Sequence, residues 1–124
     1  MTDQFIAPGL IPYADLIDLM YASAALLNPS LYEGWSTTVE EARSAGVPML
    51  LSDLDVHKEQ AGGQAEYFAA RDVDSLANLL QCFEPLSAER RAQLRLAASI
   101  DAHARVQTFA RSFADLCRES IGST

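Results

Sequence analysis

Basic residues are scarce in this sequence: nine lysines and arginines face seventeen aspartates and glutamates, for a formal net charge of -8 over 124 residues. Such a field repels phosphate backbones and anionic lipid headgroups, which argues against nucleic acid and membrane surfaces as general partners. Cysteine is nearly absent. Cys82 and Cys117 lie far apart in apolar helical contexts, without the close spacing of zinc or redox motifs, and read as reduced core thiols. No apolar run approaches the roughly 18 residues that a membrane span needs. The stretch from Gln4 to Leu10, interrupted by Pro8 and Gly9, is too short for a signal peptide. These absences point to a soluble, cytoplasmic chain. One domain over residues 1–124 is the default at this length, and a hydrophobic content of 49% is enough for a core.

What is present is an alternation of short apolar runs with amphipathic stretches. Phe5-Ile6-Ala7, Ala24 to Leu27 and Pro48 to Leu51 each form a continuous apolar run closed by turn residues, as expected of strands covered on both faces of a parallel sheet. Glu66-Tyr67-Phe68 is a weaker fourth strand. Between them, Pro12 opens a helix running to about Ala22, and a second helix from about Thr38 ends at Gly46 with Pro48 just beyond. Val56 to Ala61 reads as a short helical turn broken by Gly62-Gly63.

The remainder is helical. It comprises Asp72 to Phe83, a basic helix capped by Ser87 and running to about Ser99, and a last helix from Arg105 to Ser120. The basic helix is expected to be solvated, with i,i+4 ion pairs around Arg90, Arg91 and Arg95. The last helix carries a stripe of Val106, Phe109, Ala110, Phe113, Leu116 and Cys117 that needs a partner surface. The fold class is α/β: a Rossmann-like parallel sheet flanked by helices, with a helical C-terminus.

In open parallel sheets, ligands bind beyond the carboxyl ends of the strands, where loops enter helix N-termini. The loop Ser30-Leu31-Tyr32-Glu33-Gly34-Trp35-Ser36-Thr37-Thr38 occupies that place. Gly34 permits close backbone approach, and the free N–H groups near Thr37, Thr38 and Val39 suit an anion such as a diphosphate. Glu33 and Glu41 flank this cradle with seven residues between them, and carboxylates accept well from sugar hydroxyls. Glu41 also has a plainer reading. Thr37-x-x-Glu40 and Thr38-x-x-Glu41 both fit a capping box, in which the glutamate bonds a backbone N–H at its own helix start. Trp35 suits either a packed loop anchor or a sugar platform.

The pair resembles the Glu-x7-Glu motif of the retaining glycosyltransferases of the two-domain GT-B architecture, family 4. Asn28-Pro29-Ser30-Leu31-Tyr32-Glu33-Gly34 and Glu41-Ala42-Arg43-Ser44-Ala45-Gly46-Val47-Pro48 look like the flanking text of that family, and the likeness continues through Leu51-Ser52-Asp53 and Val56 to Gln60. Where the family often has Gly-Phe-Gly-Leu-Pro, this sequence has Gly34-Trp35-Ser36-Thr37-Thr38.

The resemblance implies part of the C-terminal, donor-binding domain of a hexosyltransferase. Its substrate would be a nucleotide-diphosphate sugar used in polysaccharide or glycolipid synthesis. Glu33 would be the catalytic residue that contacts donor-sugar hydroxyls, Gly34, Trp35, Ser36, Thr37 and Thr38 would line sugar and diphosphate, and Glu41 would hold the ribose. No metal or other cofactor is implied. The family's acceptor-binding first domain precedes a segment like Phe5-Ile6-Ala7, so the resemblance also implies a piece of a longer enzyme, inactive by itself.

The alternative is a non-catalytic α/β module that associates, as a homo-oligomer or with another protein, through its apolar last helix. Lys58, His57, His103 and the Asp53/Asp55 pair complete the residues whose chemistry could matter. Solvent exposure, interhelix packing and turn formation are their ordinary roles.

Overall fold

The computed structural model describes residues 5–122, arranged as a three-stranded parallel sheet with helices packed around it. The order is α1 (Tyr13–Ala22), β1 (Leu26–Asn28), α2 (Thr37–Ala45), β2 (Met49–Ser52), α3 (Asp55–Ala61), a single 3₁₀ turn at Gly62–Gln64, β3 (Ala65–Phe68), α4 (Val73–Cys82) and α5 (Ala88–Gly122). The strands lie in the spatial order β1-β2-β3. Every residue of the central strand β2 is buried, which explains the unbroken Met49-Leu50-Leu51 run. Asn28 stands opposite Leu51, and Ser52 opposite Phe68. The carboxyl edge of the sheet therefore ends in polar side chains on β1 and β2.

The core joins Met20 of α1, Val39, Ala42 and Ala45 of α2, Val47, Met49 and Leu51 of the β2 region, and Ala61 of α3. Helix α2 ends as the Gly-then-Pro pattern requires. Gly46 adopts φ 66°, and the Gly46 and Val47 amides close onto the Arg43 and Ala42 carbonyls.

Several sequence expectations change. Phe5-Ile6-Ala7 is not a strand: it pairs with nothing in the sheet, and Phe5 and Ile6 are exposed. An apolar run becomes a strand only where a neighbour takes its backbone hydrogen bonds. The two C-terminal helices are one. No glycine or proline interrupts Ile100 to Ala104, and Asp101 pairs with Arg105 at 3.0 Å across the expected break. Cys82 and Cys117 are exposed rather than core thiols, because α4 buries no residue completely and the second half of α5 extends away from the core.

Arg95 is exposed as expected, but what it binds is an aromatic ring and a carbonyl rather than an ion-pair partner. Its guanidinium lies 4.7 Å from the Tyr21 ring centroid and donates to the Tyr21 carbonyl at 2.6 Å, which ties α5 to the end of α1. Further along, Arg43 of α2 pairs with Asp101, and Arg105 with Glu40 of α2 at 3.1 Å. These contacts fix the first half of α5. Beyond them, Val106, Phe109, Phe113, Leu116 and Ile121 are all exposed, and the Phe109 and Phe113 rings stack on each other.

Candidate functional site

Glu33 stands just past the carboxyl end of β1, half-buried, and is held by its own chain. The Ser30 hydroxyl donates to Glu33 Oε1 at 2.8 Å, and Asn28 Nδ2 approaches the same oxygen at 3.5 Å. Asn28 serves the loop twice more. Its Oδ1 accepts the Ser30 N–H at 3.1 Å, and its Nδ2 donates to Ser36 Oγ at 3.2 Å. An asparagine that bonds the backbone two residues on is a turn-forming device. Here the device also orients a carboxylate.

Ser36 is the residue before the first turn of α2, and it is buried. Its hydroxyl faces Asn28, and no side chain caps the helix start. With the helix beginning at Thr37, Val39 holds the position a capping-box glutamate would need, so neither Glu40 nor Glu41 forms that box. The backbone of Ser36 is gripped instead by Gln60 of α3. Gln60 Oε1 accepts the Ser36 N–H at 3.1 Å, and Gln60 Nε2 donates to the Ser36 carbonyl at 2.9 Å and to Glu40 Oε1 at 3.3 Å. A side-chain amide thus pairs with a main-chain amide in the interior, where both of its polar ends must be satisfied.

The adjacent glutamates of α2 separate in role. Glu40 is committed to Gln60 and Arg105. Glu41 opens into a cavity of about 320 Å³ that it lines with Tyr13, Ile17, Tyr21, Glu40, Ser44 and Ala45. The nearby Glu41 carboxylate, first as a hydrogen-bond acceptor and then through its charge, raises the Tyr13 phenol above its ordinary 10.0, with desolvation adding least. Glu33 is not among the residues lining this cavity. In chain order the two carboxylates lie on either side of the uncapped start of α2, each with its own partners.

The other loop residues face outward. Gly34 and Thr37 are exposed, Thr38 is half-buried, and a Cβ at Gly34 would meet nothing within 4 Å. Trp35 is 55% exposed, which removes the packed-anchor reading. Lys58 and His103 are exposed, and Asp53 Oδ1 accepts the Ala70 N–H in a turn.

Sequence reasoning gave His57 little weight, yet it is wholly buried. Its Nδ1 lies 2.9 Å from the Ser52 carbonyl and 3.2 Å from Ser52 Oγ, while its Nε2 has no partner among the described residues. It also passed over Ser52 and Gln60. The available signal was a serine ending an all-apolar strand, followed by two polar residues three apart on a short helix.

No protein-family profile matches the chain, and no solved structure matches it. Over 77 residues it is 34% identical to the O-antigen chain mannosyltransferase B of Escherichia coli. That stretch covers 61% of this chain and 20% of the relative, so the chain matches about a fifth of the relative's length.

Proposed function

We propose that this chain is part of the donor-binding domain of a retaining glycosyltransferase. It would bind a nucleotide-diphosphate sugar, a mannosyl donor by its similarity to a named mannosyltransferase, for the synthesis of a polysaccharide or glycolipid. The observation that carries this reading is the loop between β1 and α2. It presents Glu33, oriented by Asn28 and Ser30, beside an α2 N-terminus that no side chain caps. An uncapped helix start offers free N–H groups and partial positive charge to a diphosphate.

In this reading Glu33 accepts from donor-sugar hydroxyls and sets the reacting carbon. Gly34 to Thr38 run along sugar and diphosphate, and Glu41 takes the ribose hydroxyls. As the glycosidic bond to the diphosphate breaks, negative charge grows on the leaving group, and the α2 amides are placed to stabilise it. A helix N-terminus does this without a metal ion. The acceptor, and further cations for the diphosphate, would come from an N-terminal domain of the complete enzyme.

Backbone amide shifts followed during titration with GDP, UDP and GDP-mannose test the proposal. Movement concentrated from Gly34 to Glu41 is the expected result. Unmoved amides at millimolar ligand refute it.

One observation favours a second reading, an α/β module for protein association. The last helix exposes Val106, Phe109, Phe113 and Leu116 along one stripe. A stable dimer in sedimentation, indifferent to nucleotide, supports that reading over the first.

A further inference from the structure

Behind Glu33 runs a chain of hydrogen bonds that crosses four segments of the fold. Ser30 Oγ donates to the carboxylate at 2.8 Å. The backbone of Ser30 is itself held at both ends: its N–H by Asn28 Oδ1 at 3.1 Å, and its carbonyl by Ser52 Oγ at 2.7 Å. Ser52, the last residue of β2, is fully buried, and so is His57 of α3, whose Nδ1 faces both the carbonyl and the hydroxyl of Ser52.

The proton positions follow from the acceptors. Carbonyl oxygens only accept, so the Ser52 hydroxyl proton belongs to the Ser30 carbonyl, and His57 carries its proton on Nδ1, directed at the Ser52 carbonyl. The lone pairs of Ser52 Oγ are then what faces the imidazole. His57 therefore stabilises the one hydroxyl orientation that holds Ser30, and Ser30 in turn aims a donor at Glu33. A buried side chain without such a donor removes one bond from the Ser52 carbonyl, which the Leu54 N–H also reaches at 2.8 Å, and frees the hydroxyl to rotate.

We infer that His57 is a positioning residue for Glu33, acting through Ser52 and Ser30. It touches neither sugar nor nucleotide. The inference rests on the donor-binding reading for its functional meaning, but its geometry is measurable without any ligand.

The test uses the 124-residue chain, labelled with ¹³C and ¹⁵N, as wild type and as Ser52→Ala, His57→Gln and His57→Asn. The amide of asparagine lies as far along the side chain as Nδ1 of histidine, whereas that of glutamine reaches the Nε2 position. The Glu33 carboxyl carbon and the Ser30 amide are expected to shift in Ser52→Ala and His57→Gln, and to return toward wild-type values in His57→Asn. GDP-mannose affinity is expected to fall about tenfold in the first two variants and to recover in the third, the equivalent of about 1.4 kcal/mol.

Glu33 resonances that stay in place in folded Ser52→Ala overturn the inference. So does an asparagine variant that behaves like the glutamine one, because loss of core packing alone treats the two similarly. Ser52→Ala removes a single oxygen and keeps the test readable should the histidine variants fail to fold. Wild-type chain that ignores GDP-mannose overturns the functional meaning of the relay, even where the ligand-free shifts follow the pattern.

Discussion

Gly46 and Leu94 approach more closely than any other residue type at position 46 would allow: a Cβ on Gly46 would lie 2.7 Å from the Leu94 carbonyl oxygen and 2.8 Å from the Arg95 backbone. The glycine that ends α2 is thus also the seat of α5. Its positive φ adds a second reason for glycine there. Gly46→Ala is expected to destabilise the fold by about 2–4 kcal/mol, from left-handed strain and backbone overlap together. Urea denaturation measures this, and an alanine variant as stable as wild type contradicts the close seating of α5.

Gln60 links stability to the site. Truncating it to alanine leaves the buried Ser36 N–H without a partner, while the Ser36 carbonyl keeps the Glu40 N–H, at a cost of about 1–3 kcal/mol. Gln60→Glu keeps the acceptor but loses the donor to both Ser36 and Glu40, and adds a charge next to Glu40. Hydrogen exchange at Ser36 should speed up in both variants.

The Glu40–Arg105 pair is half-buried and belongs to a network with Asp101 and Arg43. A double-mutant cycle on Glu40→Gln and Arg105→Gln is expected to return a coupling of about 0.5–1 kcal/mol, falling in 1 M salt. A coupling of zero would mean that packing around Gly46, rather than charge, holds α5.

Tyr13 reports on Glu41. Its phenol is raised above 10.0 chiefly by the hydrogen bond to Glu41, so the folded state keeps this proton longer than the unfolded chain does. The associated stability is complete below pH 10.0 and is lost as the pH rises through the higher folded value. Glu41→Gln should lower the Tyr13 titration, followed at the ring carbon that bears oxygen. A ribose that captures Glu41, as the proposed function requires, should lower it as well. A Tyr13 titration unmoved by saturating nucleotide separates Glu41 from the ligand.

Glu33 is assigned to the sugar and not to the nucleotide. Glu33→Ala should therefore weaken GDP-mannose binding about tenfold and leave GDP binding unchanged, as calorimetry can show. Equal losses for both ligands would move Glu33 to the diphosphate.

The sequence alone determined the parallel α/β pattern, the end of α2 at Gly46 and the N-cap at Ser87, whose hydroxyl accepts from Arg90. Burial of β2 on both faces, left-handed backbone and capping are local demands that the residues themselves declare, whereas Leu27 of β1, expected to be covered, is exposed. The spacing of Glu33 and Glu41 was equally legible. Their different neighbours, Asn28 and Ser30 for one and Tyr13 for the other, were not. Nor was the burial of His57 and Gln60, which became supports of the loop only when α3 folded against it. The fate of Phe5-Ile6-Ala7 and the exposure of Cys82 and Cys117 were likewise settled in three dimensions. A polar or apolar side chain states what kind of partner it needs, and only the packing of segments distant along the chain decides whether one arrives.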